Sequence, residues 1–265
     1  MTARLATLGL VLVVSRARAD KHIEDNSFFV EEAYNQEAGV VQHIQQLLVS
    51  PSSGAWGYSL TDEWPVPDER NQLSITIPLL HDAMGTGAGD VLFNYRRQLL
   101  RASDDFVIVT PRLSVWLPTG NAEVGRGTGG PGVQAQACVT LNPSSALALH
   151  SNLGAAVPIS GEGTGPANTS VTLAQSIIWF PYDRLNFLLE ARSNWPVLEA
   201  LSGPRAVILS PGLRTAVDVA SCVQIVPGAA VPLIFQSGEA SWGMLFYLSV
   251  EHSIPCSKRR PEAPL

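Results

Sequence analysis

The chain has 265 residues, 15% of them charged, with a formal net charge of −6 and a mean hydropathy of only +0.14. That length can give one large domain a sizeable interior, yet charge falls well below the roughly 25% usual in soluble proteins. The acidic balance, with no Lys/Arg run interleaved with aromatics, excludes a nucleic-acid surface. Past the N-terminus no stretch reaches the ~18 apolar residues of a helical membrane span.

The first predicted element is an export signal, residues 1–19. Met1–Arg4 is short and positive, Leu5–Val14 is apolar, and Ala17-Arg18-Ala19 has the small-x-small form of a cleavage site. Residues 20–38 form an acidic segment in which Phe28 and Phe29 sit among Asp20, Glu24, Asp25, Glu31, Glu32 and Glu37. Twelve strand candidates follow: 39–49, 55–64, 70–79, 88–99, 104–117, 132–141, 146–157, 169–180, 184–194, 205–216, 221–233 and 241–253. The pattern is plainest at 132–157, where Val133, Ala135, Ala137, Val139 and Leu141 alternate with Gln134, Gln136, Cys138 and Thr140. Beyond Asn142-Pro143-Ser144-Ser145 the alternation resumes, with Leu147, Leu149, Leu153 and Val157 opposite Ala148, His150 and Asn152. Period two over such a length means paired strands.

The connections alternate in kind. Pro65–Glu69, Leu100–Ser103, Asn142–Ser145, Pro181–Asp183 and Val217–Ala220 are short; Ser50–Gly54, Leu80–Gly87, Pro118–Pro131, Pro158–Asn168, Trp195–Pro204 and Ile234–Ala240 are mostly longer and glycine-rich. Short turns on one rim and longer loops on the other are features of bacterial outer-membrane barrels, whose strands number evenly and span with ~9–11 residues each. The predicted fold is therefore all-β, a closed antiparallel transmembrane β-barrel over residues 39–254, with the acidic segment inside or beneath it and a tail at 255–265.

Each strand then has a wet and a greasy face. Outward candidates include Val107/Val109/Leu113, Leu185/Phe187/Leu189 and Met244/Phe246/Leu248/Val250. Inward ones include Asp90/Asn94/Arg96, Thr110/Arg112/Ser114, Asn186/Glu190/Arg192 and Ser210/Arg214, so the inner wall carries ionised groups. Trp64, Trp116, Trp179, Trp195 and Trp242 fall near strand ends, the level of aromatic girdles.

Enzyme chemistry finds no constellation. His150 and Ser151 are adjacent on a strand and point oppositely, and no Gly-x-Ser-x-Gly elbow occurs. The glycine clusters 85–89, 125–132 and 161–165 lead neither to Lys-Ser/Thr nor to a helix. The five histidines are scattered without ligand spacing, and three cysteines permit at most one internal bridge. No metal, cofactor or catalytic residue is expected. What remains is a lumen pathway of Arg96, Arg112, Arg192, Arg214, Glu190 and Asp90, with Glu31, Glu32 and Glu37 as a candidate plug that meets those arginines. The expected partners are outer-membrane lipid outside and a small solute within.

Asp25-Asn26-Ser27-Phe28, Glu31–Glu37 and Gly39–Ile44 form an N-terminal block, followed by Glu63-Trp64-Pro65-Val66-Pro67, Gly87–Leu92, Pro111–Leu113 and Leu117–Gly120. With Ile208–Gly212, Gln224–Gly228 and the closing strand Leu245–His252, these stretches resemble in order the outer-membrane proteins labelled phenol-degradation meta-pathway proteins or transporters. Members of that family end just after the last strand, whereas Pro255–Leu265 here extends beyond it. The resemblance implies passive passage of small aromatic or hydrophobic molecules across the outer membrane. The alternative is a structural or adhesive envelope barrel that binds partners through the 118–131 and 158–168 loops and does not conduct.

Overall fold

The computed structural model describes Ile23 and residues 25–102, 104–159, 169–196, 206–220, 222–236 and 238–254. The signal at 1–19, most of the 158–168 and 195–204 loops, and the tail at 255–265 fall outside or largely outside them. Twelve antiparallel strands close into a barrel. They are β1 Val40–Val49, β2 Trp56–Pro65, β3 Asn71–Asp82, β4 (Gly85–Ala88, Val91–Arg97 and Leu100–Arg101), β5 Val107–Leu117 and β6 Gly132–Ser144. The others are β7 Leu147–Pro158, β8 Ser170–Tyr182, β9 Leu185–Pro196, β10 (Ala206–Thr215 and Val217–Ala220), β11 (Val223–Ala230 and Leu233–Gln236) and β12 (Glu239–Trp242 and Met244–Ser253). Every strand pairs with its sequence neighbours, and β12 returns to β1 in an unbroken register from Val40↔Ser253 to Val49↔Met244. Closure leaves no unpaired edge, which hydrocarbon would penalise by several kcal/mol per group.

The alternation read from the sequence sets the two faces. Leu113, Leu153, Leu189, Ile177 and Phe246 point outward and are exposed, Leu189 by 53%. Asn94, Arg96, Thr110, Ser114, Gln136, Thr140, His150, Asn186, Glu190, Ser210 and Arg214 point inward and are buried. A molecule greasy outside and polar inside is built for lipid, and the outer belt is its bilayer-facing surface. Trp179 stacks on Phe187 in that belt at a centroid distance of 5.7 Å.

Several boundaries differ from the sequence reading, most at three rims. Residues 80–87 are not a long loop: β3 runs to Asp82 and pairs with the start of β4, His81 opposite Thr86 and Asp82 opposite Gly85. The glycines that suggested a loop supply backbone to the ladder, which needs no side chain, and Gly85 turns the corner at a φ of +101°. Residues 234–240 behave alike, with Phe235 opposite Ala240 and Gln236 opposite Glu239 around Gly238 at a φ of +82°. Val217–Ala220 is strand rather than turn, Val217 lying opposite Ile225. Trp116 keeps its place near a strand end but turns from the outer belt towards the 118–131 loop: its indole N–H donates to Thr128 Oγ1 at 2.8 Å, and a Cβ on Gly132 would strike its ring.

Candidate functional site

The barrel is not empty. The acidic segment, described at Ile23 and from Asp25 onward, lies inside it and meets all twelve strands. It forms no helix or strand, so its backbone groups must find partners on the wall. They do so through short polar side chains at inward positions. Glu190 Oε1 on β9 accepts the N–H groups of Phe29 and Val30 at 2.9 and 3.0 Å. Asn152 on β7 grips Glu31 by both edges, its Oδ1 accepting the N–H at 2.7 Å and its Nδ2 donating to the carbonyl at 2.8 Å. Thr140 on β6 accepts the Ala33 N–H at 2.9 Å, while Thr110 on β5 donates to the Ala33 carbonyl at 2.6 Å. Gln72 on β3 takes the Gln36 N–H, and Gln46 on β1 donates to the Phe28 carbonyl. Ser27 reaches Ser176 on β8, and Asn26 hydrogen-bonds Glu63 on β2.

One apolar anchor complements this polar grip. Phe28 is only 4% exposed and lies against the wall where Gly212 on β10 and Gly228 on β11 leave room. A Cβ at those glycines would come within 2.6 and 2.8 Å of the Phe28 ring. Its other neighbour is the Tyr247 ring on β12, 5.2 Å away and tilted by 51°, a geometry that suits the quadrupoles of both rings.

The charges are arranged in two sets. Arg214, fully buried on β10, donates Nη1 to the carbonyls of Asp25 and Asn26 at 2.6 and 2.8 Å. Its Nη2 donates to the Ile23 carbonyl at 3.2 Å and to Glu32 Oε1 at 2.9 Å. Arg96 on β4 donates to the Glu32 carbonyl. Burial pushes the Glu32 carboxyl above the usual carboxylate range, and Arg214 works against that rise. Asp25 is pushed up to about 6 by burial, opposed first by Arg214 and then by the Tyr247 hydroxyl, which donates to Asp25 Oδ1 at 2.6 Å. In the second set, Arg112 on β5 forms an ion pair with Glu31, whose other oxygen lies 3.8 Å from the free thiol of Cys138. That pair retains some exposure, 14% for Arg112 and 25% for Glu31.

The sequence-derived positions therefore separate. Arg96, Arg112, Arg214 and Glu190 all touch the segment, and Glu31 and Glu32 meet arginines on the wall. Glu37 is exposed where the segment leaves the lumen. Arg192 is half-buried on the inner face of β9 and has no hydrogen bond or ion pair with a described residue. Asp90 sits in the break of β4 and holds the 118–131 loop, accepting the N–H groups of Gly120 at 3.0 Å and Thr128 at 2.7 Å. Arg126 pins the same loop to the β3–β4 hairpin through Asp82 Oδ1 and the Gly85 carbonyl, both at 2.7 Å. Phe28, Asn152, Tyr247 and the pair Gly212/Gly228 were not singled out from sequence. A legible signal existed for the glycines: each follows a proline inside a strand, Pro211-Gly212 and Pro227-Gly228, and strand glycines often mark close approach of another group.

No family model matches the chain, and no curated protein matches it. Solved structures do. An outer-membrane channel from Pseudomonas putida F1 superposes with a TM-score of 0.60 at 12% identity, over 83% of this chain and 97% of that one. NanC porin gives 0.55 at 10% identity over 80% and 99% of the two chains, and KdgM porin 0.50 at 8% over 81% and 98%. At such identities the likeness is one of architecture, and it agrees with the greasy belt and closed register: this chain has the barrel fold of outer-membrane channels.

Proposed function

We propose that the protein is an outer-membrane channel for passive diffusion of small solutes, closed at rest by its own N-terminal segment. The observation that carries this reading is that the inner wall is polar and charged, yet what fills it is one irregular strip of chain tied to the barrel covalently only at Gly39. A scaffold barrel can fill its interior with wall side chains alone; here the wall is shaped to receive a separable insert. Transport involves no covalent chemistry or cofactor on this reading. The resemblance of Asp25–Phe28, Ile208–Gly212 and Gln224–Gly228 to the phenol-degradation group supports aromatic or hydrophobic solutes. It is the insert (Phe28) and its glycine seats (Gly212, Gly228) that carry those motifs.

Deleting residues 20–38 is expected to raise single-channel conductance in planar bilayers, and unchanged conductance would overturn the plug. A structural or adhesive barrel is the second reading, favoured by the contact of the segment with all twelve strands. Liposome swelling with graded neutral solutes separates the two, because a channel whose segment releases transiently admits the smallest solutes in its full-length form and a scaffold admits none.

A further inference from the structure

Beside the joint between β1 and β12, the outer wall carries an ionisable cluster on the face opposite the insert. Burial fixes the inward positions of these strands: Gln42 and Ile44 on β1, Glu63 on β2, and Ser249 and Glu251 on β12. The positions that alternate with them, His43, Asp62 and His252, therefore point outward. There β2 otherwise presents Leu60 and Trp64, and β12 presents Phe246, Leu248 and Val250. His43 lies opposite Asp62 in the β1–β2 ladder, and His252, opposite Val41, stands diagonally across the joint from it. Ionisable side chains on a lipid-facing wall are rare and costly, less so near the interface, and mark function more often than packing.

The three groups are aligned in series. Asp62 Oδ1 lies 2.6 Å from His43 Nδ1, and His43 Nε2 lies 3.1 Å from His252 Nε2. The two imidazole planes differ by 21°, with centroids 5.2 Å apart. The carboxylate sets the tautomer of His43: it accepts the Nδ1 proton and leaves the lone pair on Nε2, facing the second ring. Two imidazole nitrogens bonded to tetrahedral zinc at about 2.0–2.1 Å stand roughly 3.3 Å apart, so this pair is already near a chelating separation. The side chains of His43 and Asp62 are 37% and 34% exposed, open to a dissolved ion. Among the described residues no three of His, Cys, Asp or Glu converge to hold a metal. The pair therefore offers two nitrogens and leaves the other positions on an ion to water, with the proton of His252 moved to its Nδ1.

We propose that His43 and His252 form a two-nitrogen site for a divalent transition-metal ion of the zinc type, which fastens the first strand to the last. Asp62 is its positioning residue, acting through the His43 ring. Imidazole suits zinc and its neighbours, whereas calcium and magnesium prefer oxygen. The two histidines are 209 residues apart in the chain, so spacing in the sequence does not reveal them, and the unfolded chain holds no such pair. An ion that binds only the closed ring stabilises it by mass action. The inference rests on the register of the joint and is independent of the channel reading.

The test adds zinc chloride to the full-length protein in detergent and reads the temperature at which the gel band leaves its folded mobility. Zinc is expected to raise that temperature, EDTA to return it, and magnesium to leave it unchanged. His43→Gln and His252→Gln are each expected to abolish the rise while keeping folded mobility at low temperature. By calorimetry, Asp62→Asn is expected to bind zinc about tenfold more weakly. Its opening temperature in EDTA should match the unaltered protein, which a merely structural role for Asp62 would lower. A rise that survives in His252→Gln, or one that magnesium reproduces, overturns the site. Zinc that binds without any rise overturns the fastening of the joint, and undiminished affinity in Asp62→Asn overturns the positioning role.

Discussion

Arg214 and Arg112 are both inward arginines facing a plug glutamate, and their surroundings make them different devices. Arg214 has no exposure, four acceptors from the segment, and two carboxyls within its field. Arg112 has one carboxylate, a glutamine and residual access to solvent. Buried ion pairs are costly to assemble and costlier to break, because removing one partner strands the other. A pair that keeps some access to solvent exchanges more readily with a mobile ion. The lumen therefore holds a fixed anchor and a yielding contact on one short segment.

The largest expected effect comes from attacking the anchor. Arg214→Ala should cost roughly 3–5 kcal/mol, because it leaves Glu32 uncompensated and three carbonyls without donors. The measurement is protease protection of the N-terminal segment, which should be lost while heat-modifiable mobility shows the barrel still closed. Next comes the apolar seat. Gly228→Ala places a methyl 2.8 Å from the Phe28 ring and 3.1 Å from the Arg214 Cβ, and overpacking of this kind costs about 1–3 kcal/mol. Partial loss of protection is expected, with Phe28→Ala in the same chain restoring room; no change in protection would remove Phe28 as an anchor.

The smallest effect is that of pH, and its sign follows from Asp25. Its pKa in the docked segment is raised from 3.8 to about 6, so the docked state binds the proton more tightly than the released one. The resulting stabilisation is fully present below 3.8 and is lost as pH rises through about 6. Glu32, also raised by burial, acts in the same direction. Protection of the segment should be greater at about pH 5 than at about pH 8, and Asp25→Asn should flatten the difference. Greater protection at the higher pH would mean that the Arg214 set does not control docking.

Much of the wall was legible in the sequence, because a strand that meets lipid on one side and polar groups on the other must alternate. The 132–157 hairpin follows the reading position by position, from outward Val133 to inward Asn152. Glycine misled at the rims, at 80–87 and 234–240, since a ladder of backbone hydrogen bonds leaves no trace in side-chain pattern. The lumen was legible in type but not in pairing. Glu31, Glu32 and the arginines stand out by charge, but their division between Arg112 and Arg214 depends on how an irregular segment lies across the barrel, and such a segment has no period to read. Asn152 and Thr140 were visible only as polar positions on an inward face.

The order of the chain has a bearing on how the molecule is made. The segment precedes β1, and the ring is completed where β1 meets β12 along ten residue pairs. Filling a finished ring would mean drawing Phe28 and the Glu31/Glu32 carboxyls past one another through a narrow opening. Laying the segment against the sheet first and zipping the final joint over it avoids that obstacle. On that route the polypeptide carries its own mandrel, and the curvature of the nascent wall is set by the object it will enclose.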